Sequence, residues 1–317
     1  MHQIINNTSR EEWLNARKHD VTASEVAALF GISPYMSKYE LWHYKKGTVE
    51  SEFNTNERVE WGNLLEDTIA QAICGKYGYE ITKKGGIEYH RRTDLRMGAT
   101  PDFFIKMKDG TEALLQVKNV DSLVFRDRWT APEDGGEAPA YIETQLQHEM
   151  AVTGIQNGVI GVLVGGNRLV VYQRKSYLKV VDSLTRAVGE FWKSIDENNA
   201  PQPDWMTDSE FVMRLYSSST SGKSVELDAE VEVLVDEYVT ASNIEKNAKE
   251  QKDALKAQII TRIGDAEKAF GRNFKVSATS VAENKGTLIT PEMVGQYYGA
   301  RKEYRTFRVS KTKEKGE

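Results

Sequence analysis

The sequence predicts an α/β fold in which a mixed sheet is flanked by helices, and three observations carry that prediction. Apolar residues at helical spacing run through Glu57–Tyr77. Short β-type runs punctuated by glycine begin at Glu80. A second helical stretch, Ala140–Thr153, is followed by the apolar runs Gly158–Val164 and Leu169–Gln173. Helices, sheet, helix and more sheet make one α/β domain of about 200 residues, an ordinary size for a single core.

Taken in order, Ser9 followed by Glu12 is a capping-box pattern that opens a helix. After a short turn, Thr22 or Ser24 starts a second helix ahead of Val26, Ala27 and Leu29, and Gly31 and Pro34 end it. A third helix spans Tyr39–Lys46. The fourth, Glu57–Tyr77, puts Trp61, Leu64, Leu65, Ile69 and Ile73 on its apolar side. Strands are expected at Ile81–Lys84, Ile87–His90, Phe103–Lys108 and Ala113–Val120, with Asp109-Gly110 as a hairpin turn between the last two. A helix over Lys179–Glu197 closes the domain, and Pro201-Gln202-Pro203 stops it.

Domain organisation follows as 1–205, a linker over 206–224 and a module over 225–317. The linker contains "SSSTSGKS", whose "GKS" lacks both the leading glycine and the preceding buried strand of a phosphate loop. Beyond it, Leu234, Tyr238, Ala241, Ala248, Leu255 and Ile259 recur at steps that predict a long amphipathic helix, packed on its own domain, paired in a helical hairpin or used in an oligomer contact. The tail is strand-like and basic, with Arg305, Arg308, Lys311 and Lys313.

Composition sets outer limits. At 317 residues, 39% hydrophobic and 28% charged, the chain reads as globular and not as disordered. Its longest apolar run, Val159–Val164, falls far short of the roughly 20 residues that span a bilayer. No N-terminal segment has a secretion pattern, and the single cysteine, Cys74, rules out an internal disulfide framework, so a cytoplasmic location is expected. A net charge of −5 argues against indiscriminate coating of DNA but allows basic residues concentrated in one groove. His2, His19, His43, His90 and His148 have no zinc spacing.

The chemistry concentrates in "TPDFFIKMKDGTEALLQVKNV", residues 100–120. On a strand, Gln116 and Lys118 share one face about 7 Å apart while Val117 points into the core. Carboxylate and carbonyl oxygens suit Mg²⁺, and an ammonium nearby can orient an attacking water. A solvated strand face could carry the same residues. Four separate stretches in order decide between the two: "WLNARKHDVTASEVAALFGISPY", "EWGNLLEDTIA", "GATPDFF…LLQVKN" and "YIETQLQHEMAVTG". Together they resemble the phage lambda exonuclease and YqaJ-type viral recombinase family of the PD-(D/E)xK nuclease superfamily, over about residues 9–200.

That resemblance implies a restriction-endonuclease-like core with a helical C-terminal module, and it assigns roles. Glu66 matches the helix carboxylate that reaches a metal ion, Asp102 the bridging aspartate, and Lys118 the lysine beside the attacking water. Gln145, and less closely Gln147, match the glutamine behind the site, and Val117 contributes its backbone carbonyl. Arg17 and Ser24 match the pair that holds a terminal 5′-phosphate. A guanidinium fork and a hydroxyl near a helix start suit that task. Gln116 stands where the family usually has glutamate. It keeps the shape and one carbonyl oxygen but loses a full charge, so weaker Mg²⁺ binding is expected and Gln116→Glu is expected to lower the Mg²⁺ requirement. Whether Gln116 is natural or an introduced change stays open, and Glu112, about 13 Å along the strand, is too far to replace it.

The implied activity is a Mg²⁺-dependent 5′→3′ exonuclease, with two ions and Mn²⁺ as a substitute, acting on double-stranded DNA ends. It would release 5′-mononucleotides and leave 3′ overhangs for phage-type recombination. By the same resemblance it would be a ring-shaped trimer, phage or prophage encoded, working with a single-strand annealing protein. A DNA-end-binding recombination module weakened at Gln116, and a structure-selective endonuclease, are the alternatives.

Overall fold

The computed structural model describes residues 1–50, 57–86, 88–132 and 136–281, and the chain divides into two compact units, 1–215 and 216–317. In the first unit, strand β1 (His2–Asn6) leads into helix α1 (Arg10–Arg17). Ser9 caps α1 by accepting from Glu12 N–H, and the Glu12 carboxylate reaches back to Thr8. The second helix expected after it is instead a strand, β2 (Val21–Thr22), followed by a five-residue 3-10 helix over Val26–Phe30. Val21 and Thr22 are drawn into extended backbone because they pair with a strand far along the chain. Gly31, at φ 66°, then turns the chain out.

Helix α2 (Lys38–Lys46) is capped by Ser37 and ended by Gly47 at φ 76°. Helix α3 spans Glu57–Tyr77, as the periodicity predicts. Leu65 is partly buried and full burial starts at Ile69, whereas Trp61 and Leu64, which share the helical spacing, are exposed. Strands β3 (Glu80–Lys84), β4 (Glu88–Arg92), β5 (Met97–Ala99), β6 (Phe103–Lys106) and β7 (Glu112–Val120) follow. The Asp109-Gly110 turn joins β6 to β7 as expected, with Gly110 at φ 83°. Helix α4 (Ser122–Arg128), capped by Asp121, precedes α5 (Ala140–Thr153), β8 (Asn157–Val164), β9 (Arg168–Lys175) and α6 (Leu178–Asp196). Helix α7 (Ser209–Leu215) lies inside the stretch expected to be linker and buries Phe211, so the first unit reaches Leu215.

Two mixed sheets result. The larger runs β3-β6-β7-β8-β9, with β7 and β8 parallel and the other pairs antiparallel; the smaller runs β1-β4-β5-β2, with β2 and β5 parallel. Alternation along β7 sorts its residues between two cores. Ala113, Leu115 and Val117 join Ile69, Ala70 and Ile73 of α3 on one face. Leu114 joins Ile142, Leu146 and Met150 of α5, with Phe125 and Trp129, on the other. A third core gathers β2, α2, α6 and the 3-10 helix around Trp42, Phe191 and Trp192. A mixed sheet covered by helices is thus the observed architecture. No described helix is long and apolar enough to cross a membrane.

In the second unit, α8 (Ala229–Ile263) is a single 35-residue helix capped by Asp228 and followed by a β-hairpin, β10 (Lys268–Phe270) with β11 (Lys275–Ser277). The helix predicted there is present, and a strand hairpin stands where a helical one was one of the options. None of its side chains is buried. The basic tail with Arg305, Arg308, Lys311 and Lys313 lies outside the described residues.

Candidate active site

The site forms where β6 begins, β7 ends, and α3, α5 and the Arg17–Ser24 segment meet. Asp102 sits just ahead of β6, and the Val117 amide donates to its Oδ2 at 2.8 Å. The backbone of Val117 therefore fixes the carboxylate, a part not read from the sequence. Gly85 N–H donates to the Asp102 carbonyl at 2.9 Å, pinning the same residue from β3's end.

Glu66 projects from α3 into a cavity of about 750 Å³ shared with Asp102, Val117 and Lys118. A second cavity, about 460 Å³, carries Glu66, Asp102, Gln145 and Glu149 together with Arg17 and Ser24. So the structure brings together Arg17, Ser24, Glu66, Asp102, Lys118 and Gln145 as neighbours around connected space. Gln147 is different. Its Nε2 donates to the Lys175 carbonyl and its Oε1 accepts from Tyr177 N–H, so it ties α5 to the end of β9.

Gln116 does not lie on an open surface. It is 0% exposed, and neither its Oε1 nor its Nε2 has a hydrogen-bond partner. It shares the α5-facing side of β7 with Leu114 and Lys118. An unpartnered buried amide is costly, on the order of 1–3 kcal/mol, and is satisfied by a water, a ligand or a cation.

Glu149, unassigned from the sequence, is the residue that structure adds. It is 1% exposed on α5; its Oε1 accepts from Gln145 Nε2 at 3.0 Å, while its Oε2 has no partner. Gln145 and Glu149 are four residues apart and so share one face of the helix. That spacing, within a stretch already singled out, was the available signal.

Electrostatics unite the acidic groups. Burial and then the neighbouring Asp102 raise Glu66 to about 7. Burial and Asp102 raise Glu149 to about 8, against the hydrogen bond from Gln145 and the charge of Lys118. Asp102 is itself raised by burial, which outweighs Lys118, the Val117 amide and Lys84. Lys118 acts on all three. Among the described residues no three Asp, Glu, His or Cys side chains already converge as a closed metal cage. The oxygen-rich donors and orphaned buried atoms nonetheless fit a hard divalent cation, which would relieve the mutual repulsion of the carboxylates.

At the other end, Arg17 donates to Ser24 Oγ at 3.0 Å and to Thr22 Oγ1 at 3.3 Å. Its guanidinium stacks 4.2 Å above the Trp13 ring, and Trp13 Nε1 donates to Thr100 Oγ1. Ser24 caps no helix: the 3-10 helix begins after Glu25, without a side-chain cap bond. The hydroxyl is aimed at Arg17. Glu25 nearby is offset by a 2.8 Å ion pair with Lys45. Beneath this floor Tyr89 donates to buried Asp20, which also binds Arg91 at 2.9 Å.

A helix-flanked mixed sheet, with carboxylates and a lysine where β6 begins and β7 ends, is the architecture that the resemblance of the sequence motifs led us to expect. Residues 12–156 match the model of the YqaJ-like viral recombinase domain family. An uncharacterized protein, YqaJ, of Bacillus subtilis (strain 168) is 25% identical over 281 residues, which cover 87% of this chain and 85% of that protein. Among solved structures, the alkaline exonuclease LHK-Exo of Laribacter hongkongensis is 18% identical, with a TM-score of 0.46 over 64% of this chain and 98% of that one. A phage-related exonuclease of Haemophilus somnus is 13% identical, with a TM-score of 0.40 over 56% of this chain and 94% of that one.

Proposed function

We propose that the chain is a divalent-metal-dependent 5′→3′ exonuclease that degrades one strand of double-stranded DNA from its end. It releases 5′-mononucleotides and leaves a 3′ overhang for recombination. One observation carries the reading: a single cavity joins an anion-binding end, Arg17 and Ser24, to an oxygen-donor end, Glu66 and Asp102. A 5′-terminal phosphate held at the first end leaves the next phosphodiester to reach the second.

Glu66, Asp102, the Gln116 amide oxygen and the Val117 carbonyl are the groups that would hold Mg²⁺ or Mn²⁺, one ion or two. Such a cation, when bound, polarises the scissile phosphate and acidifies the attacking water. The remaining work falls to the protein's own side chains. Arg17, its plane set by Trp13, and Ser24 hold the terminal phosphate and so count off one nucleotide. Lys118 orients the water and balances charge between Asp102 and Glu66. The Val117 amide keeps Asp102 in place, and Gln145 supports the far wall.

The test uses linear duplexes with 5′-phosphate or 5′-hydroxyl ends and a closed circle, each with Mg²⁺. Loss confined to the 5′-phosphorylated strand of linear DNA is expected. A nicked circle would instead favour an endonuclease. End binding without cleavage would favour the binding module, the reading that the uncharged Gln116 supports. A cytoplasmic setting, a trimeric ring and a single-strand annealing partner belong to the same proposal, checked by sedimentation of the protein alone and with such a partner.

A further inference from the structure

We infer that Glu149 supplies the anionic oxygen that Gln116 lacks, making it a cation-binding residue of this site, with Gln145 positioning it. The inference rests on the nuclease reading above and deepens it. Three observations carry it. Glu149 is 1% exposed, so it is not a surface carboxylate that happens to face a groove. It lines the same cavity as Glu66 and Asp102. Its Oε1 is held by Gln145 at 3.0 Å, while its Oε2 is buried and has no hydrogen-bond partner. A buried carboxyl group beside Asp102 keeps its proton unless a cation takes the proton's place and completes the bare oxygen.

Gln116 complements this arrangement. It lies on the α5-facing side of β7, two residues before Lys118, with both amide atoms buried and unpartnered. Lys118 is within electrostatic reach of Glu66, Asp102 and Glu149 alike. A glutamate at 116 would add one more acid, fully buried, beside Glu66, Asp102 and Glu149, whose cationic neighbours are Lys118 and, for the first two, Lys84. An amide there keeps a neutral carbonyl oxygen for the metal, while the charge comes from the helix. The three carboxylates do not form a closed cage on their own, so a bound cation would have to bring Glu149 Oε2 and Asp102 closer together. Gln145, bonded to Oε1, keeps the other oxygen in place during that movement.

The experiment measures Mn²⁺ binding to the full chain by the loss of the free-ion electron paramagnetic resonance signal, together with Mg²⁺-dependent mononucleotide release. Glu149→Gln should weaken Mn²⁺ binding at least ten-fold while the metal-free protein melts no lower than the parent. The double exchange Gln116→Glu with Glu149→Gln should recover binding to within a few-fold of the parent. Glu149→Asp, which keeps the charge on a shorter arm, should fall between and serves if the glutamine variant does not fold. Parental Mn²⁺ affinity in both Glu149→Gln and Glu149→Asp would overturn the inference. If Asp102→Asn abolishes binding in that case, the nuclease site survives and only the role of Glu149 fails. If the parent binds no Mn²⁺ and cuts no DNA, the nuclease reading fails and this inference with it.

Discussion

In the proposed reaction Asp102 and Lys118 act on chemistry more than on packing. Asp102→Asn and Lys118→Ala should each lower turnover by at least about 100-fold, the usual scale for a displaced catalytic group, with little change in melting temperature. Single-turnover cleavage of a phosphorylated duplex measures the first and thermal denaturation the second. Arg17→Ala should behave differently, because it removes the proposed phosphate anchor, at the other end of the cavity from the carboxylates. Its expected signature is loss of the preference for 5′-phosphate over 5′-hydroxyl ends, with Mn²⁺ affinity unchanged. Equal discrimination by parent and variant would make Arg17 a structural residue that merely bridges Trp13, Thr22 and Ser24. The expectation that Gln116→Glu alone lowers the Mg²⁺ requirement now competes with the anionic oxygen that Glu149 would supply once a cation displaces its proton. A second fully buried acid beside Glu149 would cost fold stability, so the single variant should melt below the parent in metal-free buffer.

Among elements, β5 and α2 offer the sharpest tests. Gly98 lies in β5 directly over Tyr89, and a Cβ there would come within 1.7 Å of the Tyr89 hydroxyl oxygen. Tyr89 is fully buried and bonded to Asp20, so it has nowhere to retreat. Gly98→Ala should therefore cost about 2–3 kcal/mol or more by overpacking, read from urea denaturation. In α2, burial lowers the pKa of His43, whose Nε2 has no hydrogen-bond partner. A depressed base contributes stability that is present above its unfolded pKa of about 6.5 and is lost as pH falls below it. The stability advantage of the parent over His43→Gln should accordingly shrink between pH 7.5 and pH 5. A gap that stays constant with pH would show that His43 does not titrate on unfolding.

For the whole molecule, the division after Leu215 makes its own prediction. All three hydrophobic cores lie within residues 1–215, and α8 buries no side chain in its own unit. A chain ending at Leu215 should unfold cooperatively with a melting temperature close to that of the full protein. A substantial drop would mean that the second unit stabilises the first. The exposed apolar residues of α8, among them Leu234, Tyr238 and Ile244, keep an oligomer contact in play for the full chain.

The sequence by itself determined what local forces decide. Helix α3, helix α5 and the β6–β7 hairpin are specified by periodicity, capping and the Asp-Gly turn, interactions that span only a few residues. Asp102, Gln116 and Lys118 were legible for the same reason, since one loop and one strand carry them. Tertiary structure decided what depends on distant partners. Strand β2 exists because Met97 and Gly98 pair with Val21 and Thr22, and no helix propensity near Ser24 could reveal that. Trp61 and Leu64 are exposed because only the face of α3 that carries Leu65, Ile69 and Ile73 packs on the sheet. Glu149 reads as an ordinary helical glutamate until folding sets it, dry and half-bonded, in the same cavity as Asp102. Burial and charge at long sequence separation, which no local pattern encodes, decided that part of the site.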